Sequence, residues 1–443
     1  MILSDTISKQ TSIAPLITFR VLFGLMMAFS VARFTLNGWI DELYISPQFH
    51  FSYYGFEWVE ALPAKGMYIL FGLLFVSALL IASGYLYRVA TVLFFVLFTY
   101  VELIDKTTYL NHYYFISLVA FIMIFLPANR RFALDISLRG ASPTSTVPAW
   151  TINIIRFQLF IVYFYAGLAK LNADWLLHAQ PLKIWLPAES HLPLIGPLLK
   201  YEITAYIFSW AGAAFDILVP FLLLSKKIRP LAYFFVIIFH ALTAILFPIG
   251  MFPFIMTLSA LIFFSATFHE RIVGGLEKLF RAPTYLTSVT ITTSKLITGI
   301  LIIFCVFNLL FPWRYLLYPG NLFWTEEGYR FSWRVMLMEK MGNTTFKIKD
   351  SLTNRTAIVA NYEYLTPLQE REMSTQPDMI LQFAHFLAQE YKERGFSKPE
   401  VTVDCKVTLN GKKSQVFIDP NANLAEIKEG WSPKDWIKPY PEN

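Results

Sequence analysis

The sequence predicts a mainly α protein: a polytopic bundle of about nine membrane helices over 1–311, followed by a small α+β extracytoplasmic domain over 312–443. Three observations carry that prediction. The chain is 56% hydrophobic and only 15% charged over 443 residues, which is not the balance of a soluble globular protein. Apolar runs of roughly the length that crosses a bilayer recur along the chain up to Phe311. Beyond Phe311 the composition turns polar and the periodicity changes to that of strands and one amphipathic helix.

A window of ~19 residues places the spans at 13–34, 67–84, 88–105, 112–127, 154–172, 207–225, 229–247, 249–267 and 293–311. Between the seventh and eighth, Phe247-Pro248-Ile249-Gly250 reads either as a boundary between two spans or as a tight re-entrant turn. The polar start MILSDTISKQTS runs into the first span without a small-residue cleavage site, so no removable signal peptide is expected. Beyond the spans, FKIKD and TAIVANYEY alternate like strands, and MILQFAHFLAQEYKERG reads as a helix stopped by Gly395. VTVDCKVTLNGKKSQVFID reads as a hairpin turning at Asn410-Gly411.

The net charge of +6 is distributed by loop. Loops holding Arg88, Arg130, Arg131, Arg139, Lys226, Lys227 and Arg271 alternate with loops richer in Asp and Glu, such as those with Asp41, Glu57, Asp174 and Glu202. The positive-inside rule then puts the N-terminus in the cytoplasm, and an odd number of spans puts the C-terminal domain outside. No basic patch of the nucleic-acid-binding kind is seen, so no nucleic-acid partner is expected. Cys305 lies in an apolar run and Cys405 in a strand-like segment, so they are not expected to pair.

The stretch 154–175, IIRFQLFIVYFYAGLAKLNADW, concentrates polar groups in a span. Arg156, Phe160, Tyr163, Gly167 and Lys170 fall three and four apart and share one helix face. Cations and a phenol on one stripe are costly in lipid, so the stripe is expected to face other helices or a wet cavity. Gly167 allows a neighbouring backbone or a flat ligand to come close beside Lys170. Lys170 itself is either a snorkelling lysine near a helix end or a desolvated amine usable as a general base.

The topology brings other polar groups to the same level: Asp105-Lys106, read as a local ion pair, Asn111-His112 at the start of the fourth span, and His240 in the outer half of the seventh. His112 also fits an interfacial helix start, and His240 a hydrogen-bonded core residue. Arg156 lies near the cytoplasmic end of its span and reads as an anchor. No H-E-x-x-H, Cys/His cluster, G-x-S-x-G, Walker A or Gly-rich dinucleotide pattern occurs, so neither a metal nor a nucleotide is expected. Amine and imidazole acting on a lipid-soluble partner are what remain.

Seven segments together resemble the vitamin K-dependent γ-glutamyl carboxylases and their bacterial homologues, whose membrane part is the HTTM domain. They are FRVLFG (19–24), DKTTYLNHYYF (105–115), FIVYFYAGLAKLNADW (160–175), FHALTAILFPIGMF (239–252), FWTEEGYRFSWRVM (323–336), YLTPLQEREMSTQPDMILQFA (364–384) and FIDPNANL (417–424). The resemblance implies an enzyme that takes vitamin K hydroquinone (or menaquinol), O2 and CO2, and converts glutamate of a peptide or protein to γ-carboxyglutamate while the quinol becomes an epoxide. It implies that Lys170 deprotonates the quinol and that His112 steadies the developing carbanion. Asn111, with Tyr163, Gly167 and His240, would hold the quinol, and Trp324, Tyr329, Ser332 and Trp333 the substrate glutamate.

The chain departs from animal members at Ala169, where they carry a second lysine, and at Asn172, where they carry aspartate. It also lacks the cysteines that pair in them, and its stretch after FIDP is short, which marks a bacterial-type homologue. A polytopic protein of the bacterial inner membrane is expected, or of the ER membrane if the source is eukaryotic. Two other readings stay open: a quinol epoxidase or other quinol-dependent enzyme without peptide carboxylation, and a transporter or assembly factor using the same polar pocket. No internal repeat or pair of broken spans favours the transporter.

Overall fold

In a computed structural model of the chain, residues 9–282 and 294–440 are described. The first eight residues of the polar start, and Thr293 at the head of the ninth predicted span, lie outside them. A short antiparallel pair, β1 (Gln10–Ser12) with β2 (Thr146–Pro148), ties the chain start to the loop before the lysine helix. The bundle follows as α1 (Ala14–Leu36), α2 (Ala64–Ser83), α3 (Tyr87–Ile104), α4 (Asn111–Phe125), α5 (Trp150–Ala169), α6 (Glu202–Leu224), α7 (Arg229–Leu246), α8 (Phe252–Ser259), α9 (Ala266–Leu279) and α10 (Lys295–Leu310).

Seven of these are long and apolar enough to cross a membrane, with α10 extended by the turn that carries it to Leu317. The fourth and eighth predicted spans differ from the rest. Helix α4 has 15 residues, or ~22 Å at ~1.5 Å per residue, short of a ~30 Å hydrocarbon core. The eighth runs only from Phe252 to Phe263 before bending by 111° into the amphipathic α9. Phe247–Gly250 makes the turn between α7 and α8, with Gly250 at φ +60°. The bend is held by Arg156, whose guanidinium donates to the carbonyls of Ile262 (3.0 Å), Phe264 (3.4 Å) and Phe263 (3.5 Å), the last carbonyls before α9. Arg131 secures α9 from the far side through Glu270 (2.7 Å) and Glu277 (2.8 Å).

Two glycines set the tightest helix contacts. A Cβ on Gly24 would lie 2.6 Å from the Ala78 carbonyl oxygen, so α1 and α2 touch backbone to backbone. A Cβ on Gly167 would lie 2.7 Å from the Ile217 nitrogen, so α5 and α6 do the same beside Lys170. Gly167 therefore admits a helix, not a flat ligand.

The C-terminal domain is a four-stranded antiparallel sheet in the order β4-β3-β5-β6, from β3 (Lys340–Asp350), β4 (Thr356–Ile358), β5 (Pro399–Leu409) and β6 (Gln415–Val416). The amphipathic α12 (Pro377–Glu393), preceded by the short α11 (Pro367–Met373), covers one face. Phe346, Ile348, Val401, Val403, Cys405 and Phe383 are buried between sheet and helix. Gly395 ends α12 at φ +86°, and Asn410 and Gly411 turn between β5 and β6 at φ +51° and +74°. Both cysteines are free.

Asp105 and Lys106 do not pair with each other. Each reaches from the end of α3 into the C-terminal domain. Asp105 accepts from Gln369 (3.0 Å) and meets His50 (3.1 Å), while Lys106 pairs with Asp378 (3.0 Å). The turn Lys106–Thr108 points adjacent side chains in different directions, so the charge adjacency became a clamp between the two parts of the molecule. Burial alone would raise the Asp378 carboxyl. The field of Arg330 (2.7 Å) and Lys106 outweighs it and holds the group below the ordinary carboxylate range.

Candidate functional site

Lys170 caps the C-terminus of α5, where the helix dipole favours a cation. Its ammonium donates to Asp216 of α6 (2.7 Å) and to the Ala166 carbonyl (3.3 Å), and lies 5.3 Å from the centre of the Trp175 ring. Lys170 is 6% and Asp216 5% exposed, so the pair is sealed inside the bundle. Gly167 makes it possible by letting α6 lie against α5 at Asp216-Ile217. Sequence reasoning missed Asp216. The signal was a lone carboxylate in the long apolar span 202–224, which in lipid calls for a cationic partner on another helix.

Four residues before Gly167 on α5, the Tyr163 hydroxyl lies 2.9 Å from His240 Nε2 of α7. The other ring nitrogen of His240, Nδ1, is buried and has no partner among the described residues. Tyr163, Lys170, Asp216 and His240 line a cavity of about 730 Å³, mouth included, whose other walls are aromatic and aliphatic: Trp175, Phe239, Phe252, Met256, Val335 and Met336 among them. A flat, largely apolar ring fits that lining.

His112 sits in the first turn of α4 and is buried at 5% exposure. It lines a second cavity of about 1230 Å³ with Arg33, Trp39, Tyr109, Asn111 and Tyr113. Ile249, Phe252, Val335 and Met336 belong to both cavities, so a single layer of side chains separates Lys170's chamber from His112's. The Phe252 ring is central to that layer, with its centre 5.8 Å from the His240 ring and 5.9 Å from the His112 ring. Both short helices begin here, α4 at Asn111 and α8 at Phe252.

The segment 323–336 descends from the C-terminal domain onto this layer. Phe331, Trp333 and Met336 adopt φ of +58°, +60° and +53°, a conformation costing about 1 kcal/mol or more for residues with a Cβ. Packing holds them there. Trp333 stacks on Tyr114 of α4 with ring centres 4.9 Å apart, and Phe331 meets Tyr109 edge-on at 4.9 Å. The Asn111 amide donates to the Arg334 carbonyl (3.0 Å), so one of its two N–H groups is spent on this loop.

The sequence-predicted residues therefore separate into groups. Tyr163, Lys170 and His240 share one cavity, while Asn111 and His112 line the neighbouring one. Gly167 is covered by α6. Ser332 donates to the Tyr329 carbonyl (2.5 Å), and Tyr329 lines a third cavity of about 1130 Å³ under the C-terminal domain, with Arg330 and Asp378. Trp324 lines neither of the first two cavities. It is 1% exposed, packs against Phe417 and Tyr440, and its indole donates to the Lys438 carbonyl (2.8 Å).

Comparison with known families matches the chain in two pieces. A family model described as HTTM domain matches residues 8–268, and one described as vitamin K-dependent gamma-carboxylase, lumenal domain, matches residues 293–443. No solved structure matches the chain.

Proposed function

Because the chain belongs to the vitamin K-dependent gamma-carboxylase family, we propose that it couples oxygenation of vitamin K hydroquinone, or a menaquinol, to carboxylation of glutamate in a peptide or protein. The observation that carries this is the buried Lys170–Asp216 pair opening onto an apolar chamber beside the His112 chamber. The quinol, when bound, supplies an acidic hydroxyl and the reducing power for O2. Lys170 Nζ takes that proton once its own has passed to the Asp216 carboxylate, 2.7 Å away, so the pair as a whole is the base. Tyr163 and His240, bonded to each other, form the polar part of the wall against which the ring lies. The aromatic walls keep water from the base generated on oxygenation. His112, behind the Phe252 layer, steadies charge developing on the glutamate side chain, which Trp333 and its loop help to bring in from the outer side.

Purified protein given reduced vitamin K, labelled bicarbonate and a short glutamate peptide should yield labelled peptide and epoxide. Epoxide without label would restrict the function to quinol oxidation. Neither product would overturn it.

The chain is a membrane protein with an extracytoplasmic C-terminal domain. We place its N-terminus in the cytoplasm, in keeping with the loop charges. A reporter fused after residue 320 should then label from outside and one within the Arg130–Arg139 loop from the cytoplasm. The reverse pattern would remove that orientation and the outer approach of the peptide.

A further inference from the structure

The His112 cavity contains a cation that the chemistry above does not use. Arg33 is in the last turn of α1, and its guanidinium carbon lies 4.7 Å from the centre of the Trp39 ring. Arg33, Trp39 and His112 line the same cavity, and no Asp or Glu lines it with them. Glu102 is not part of the lining and pairs with no cation among the described residues. Asn111 is committed on both sides, to the Arg334 carbonyl and the Tyr109 hydroxyl. The side chains of Arg33 and His112 have no hydrogen-bond or ion-pair partner among the described residues. Two polar side chains without partners therefore line one chamber, beside the committed Asn111.

A cation at a helix end often has no more than the dipole to explain it, and any cation would serve that purpose. This one differs in lying over an indole, with its guanidinium N–H groups unpaired among the described residues and open to a planar acceptor. The acceptor that fits such a fork is a carboxylate, bound through two parallel N–H···O bonds. We propose that Arg33 is the anchor for the side-chain carboxylate of the glutamate that reacts. The proposal rests on the carboxylase function argued above and adds the residue that selects glutamate. Arg33 on the carboxylate and His112 on the adjoining carbon divide the substrate between them. Neutralising the carboxylate matters because a second negative charge must develop on the carbon next to it.

The test uses the full chain in nanodiscs and a short peptide with a single glutamate, beside its glutamine twin, with binding and turnover read separately. Wild type should bind the glutamate peptide about tenfold or more tighter than the glutamine peptide, the scale of one charge-assisted bidentate contact. Arg33→Gln should abolish that preference while leaving epoxide formation without peptide unchanged. Arg33→Lys, which keeps charge but loses the fork, should retain part of it and serves where Arg33→Gln does not fold. A wild type without preference, or either variant with the full wild-type preference, would overturn the assignment. The second result is also the one expected if Arg33 serves a phospholipid phosphate, and nanodiscs with and without anionic lipid would identify that case. If wild type binds glutamate through Arg33 but forms neither product, the carboxylase function fails and the anion site stands. If Arg33→Gln carboxylates with unchanged KM, the function stands and this assignment fails.

Discussion

Lys170→Arg is expected to leave a folded protein that forms neither epoxide nor γ-carboxyglutamate. Arginine can keep the ion pair with Asp216 and the place at the end of α5, so packing and charge are preserved. It cannot act as the base, because its pKa above ~12 leaves no lone pair to take a proton. A lysine that only anchored the helix would tolerate the change with little loss. Both products should fall by a factor of about 10²–10⁴, the usual worth of a positioned base, since both follow from one deprotonation of the quinol. Lys170→Ala should lose activity to the same degree and, unlike the arginine variant, should be partly rescued by a small amine that fits the vacated space. Rescue should rise with pH until the added amine is mostly neutral, because the neutral fraction is the reactive one. Near-wild-type rates in Lys170→Arg would end the assignment and return Lys170 to a structural part.

The stripe on α5 shows how far helical spacing alone carries. Residues three and four apart were expected to face other helices or a cavity, and each found a partner there. Arg156 holds the carbonyls ending the eighth span, Phe160 meets Phe221 of α6, Tyr163 meets His240, and Lys170 meets Asp216. Periodicity fixes which side chains share a face but is silent about which helix lies opposite. For that reason Asp216 stayed hidden in an apolar span although its partner had been singled out. Neighbouring charges mislead for a related reason. Asp105 and Lys106 suggest a pair in one dimension, yet a single turn of 3-10 helix sends each to its own partner in the C-terminal domain. Helix length was also partly concealed: α4 and the eighth span pass a hydropathy window because the apolar loops beside them are counted in. Those two short helices start at Asn111 and Phe252, and both residues line the His112 cavity. The departure from an ideal bundle is thus where the second chamber forms.

Asp216 gives the test that separates holding the fold together from holding the proton. Asp216→Ala strands an ammonium in a dry site, and breaking one side of a buried pair typically costs about 3–5 kcal/mol. Replacing both partners by apolar side chains of similar volume removes the stranded charge and its desolvation penalty together, so Lys170→Met with Asp216→Leu should recover most of that loss. Denaturant unfolding of the purified single and double variants would read the difference, and the coupling between the two sites should be large and favourable. Activity should not follow stability. The double variant, although as stable as wild type to within about 1–2 kcal/mol, should form no epoxide, because the amine and carboxylate that take the quinol proton are both gone. Asp216→Asn adds the decisive comparison: it keeps the shape and a hydrogen bond to Lys170 but cannot share a proton. If the carboxylate takes part in the proton load, this variant should be slow in epoxidation even where its fold is intact. An Asp216→Asn protein with wild-type rates would confine Asp216 to packing and leave Lys170 to act alone.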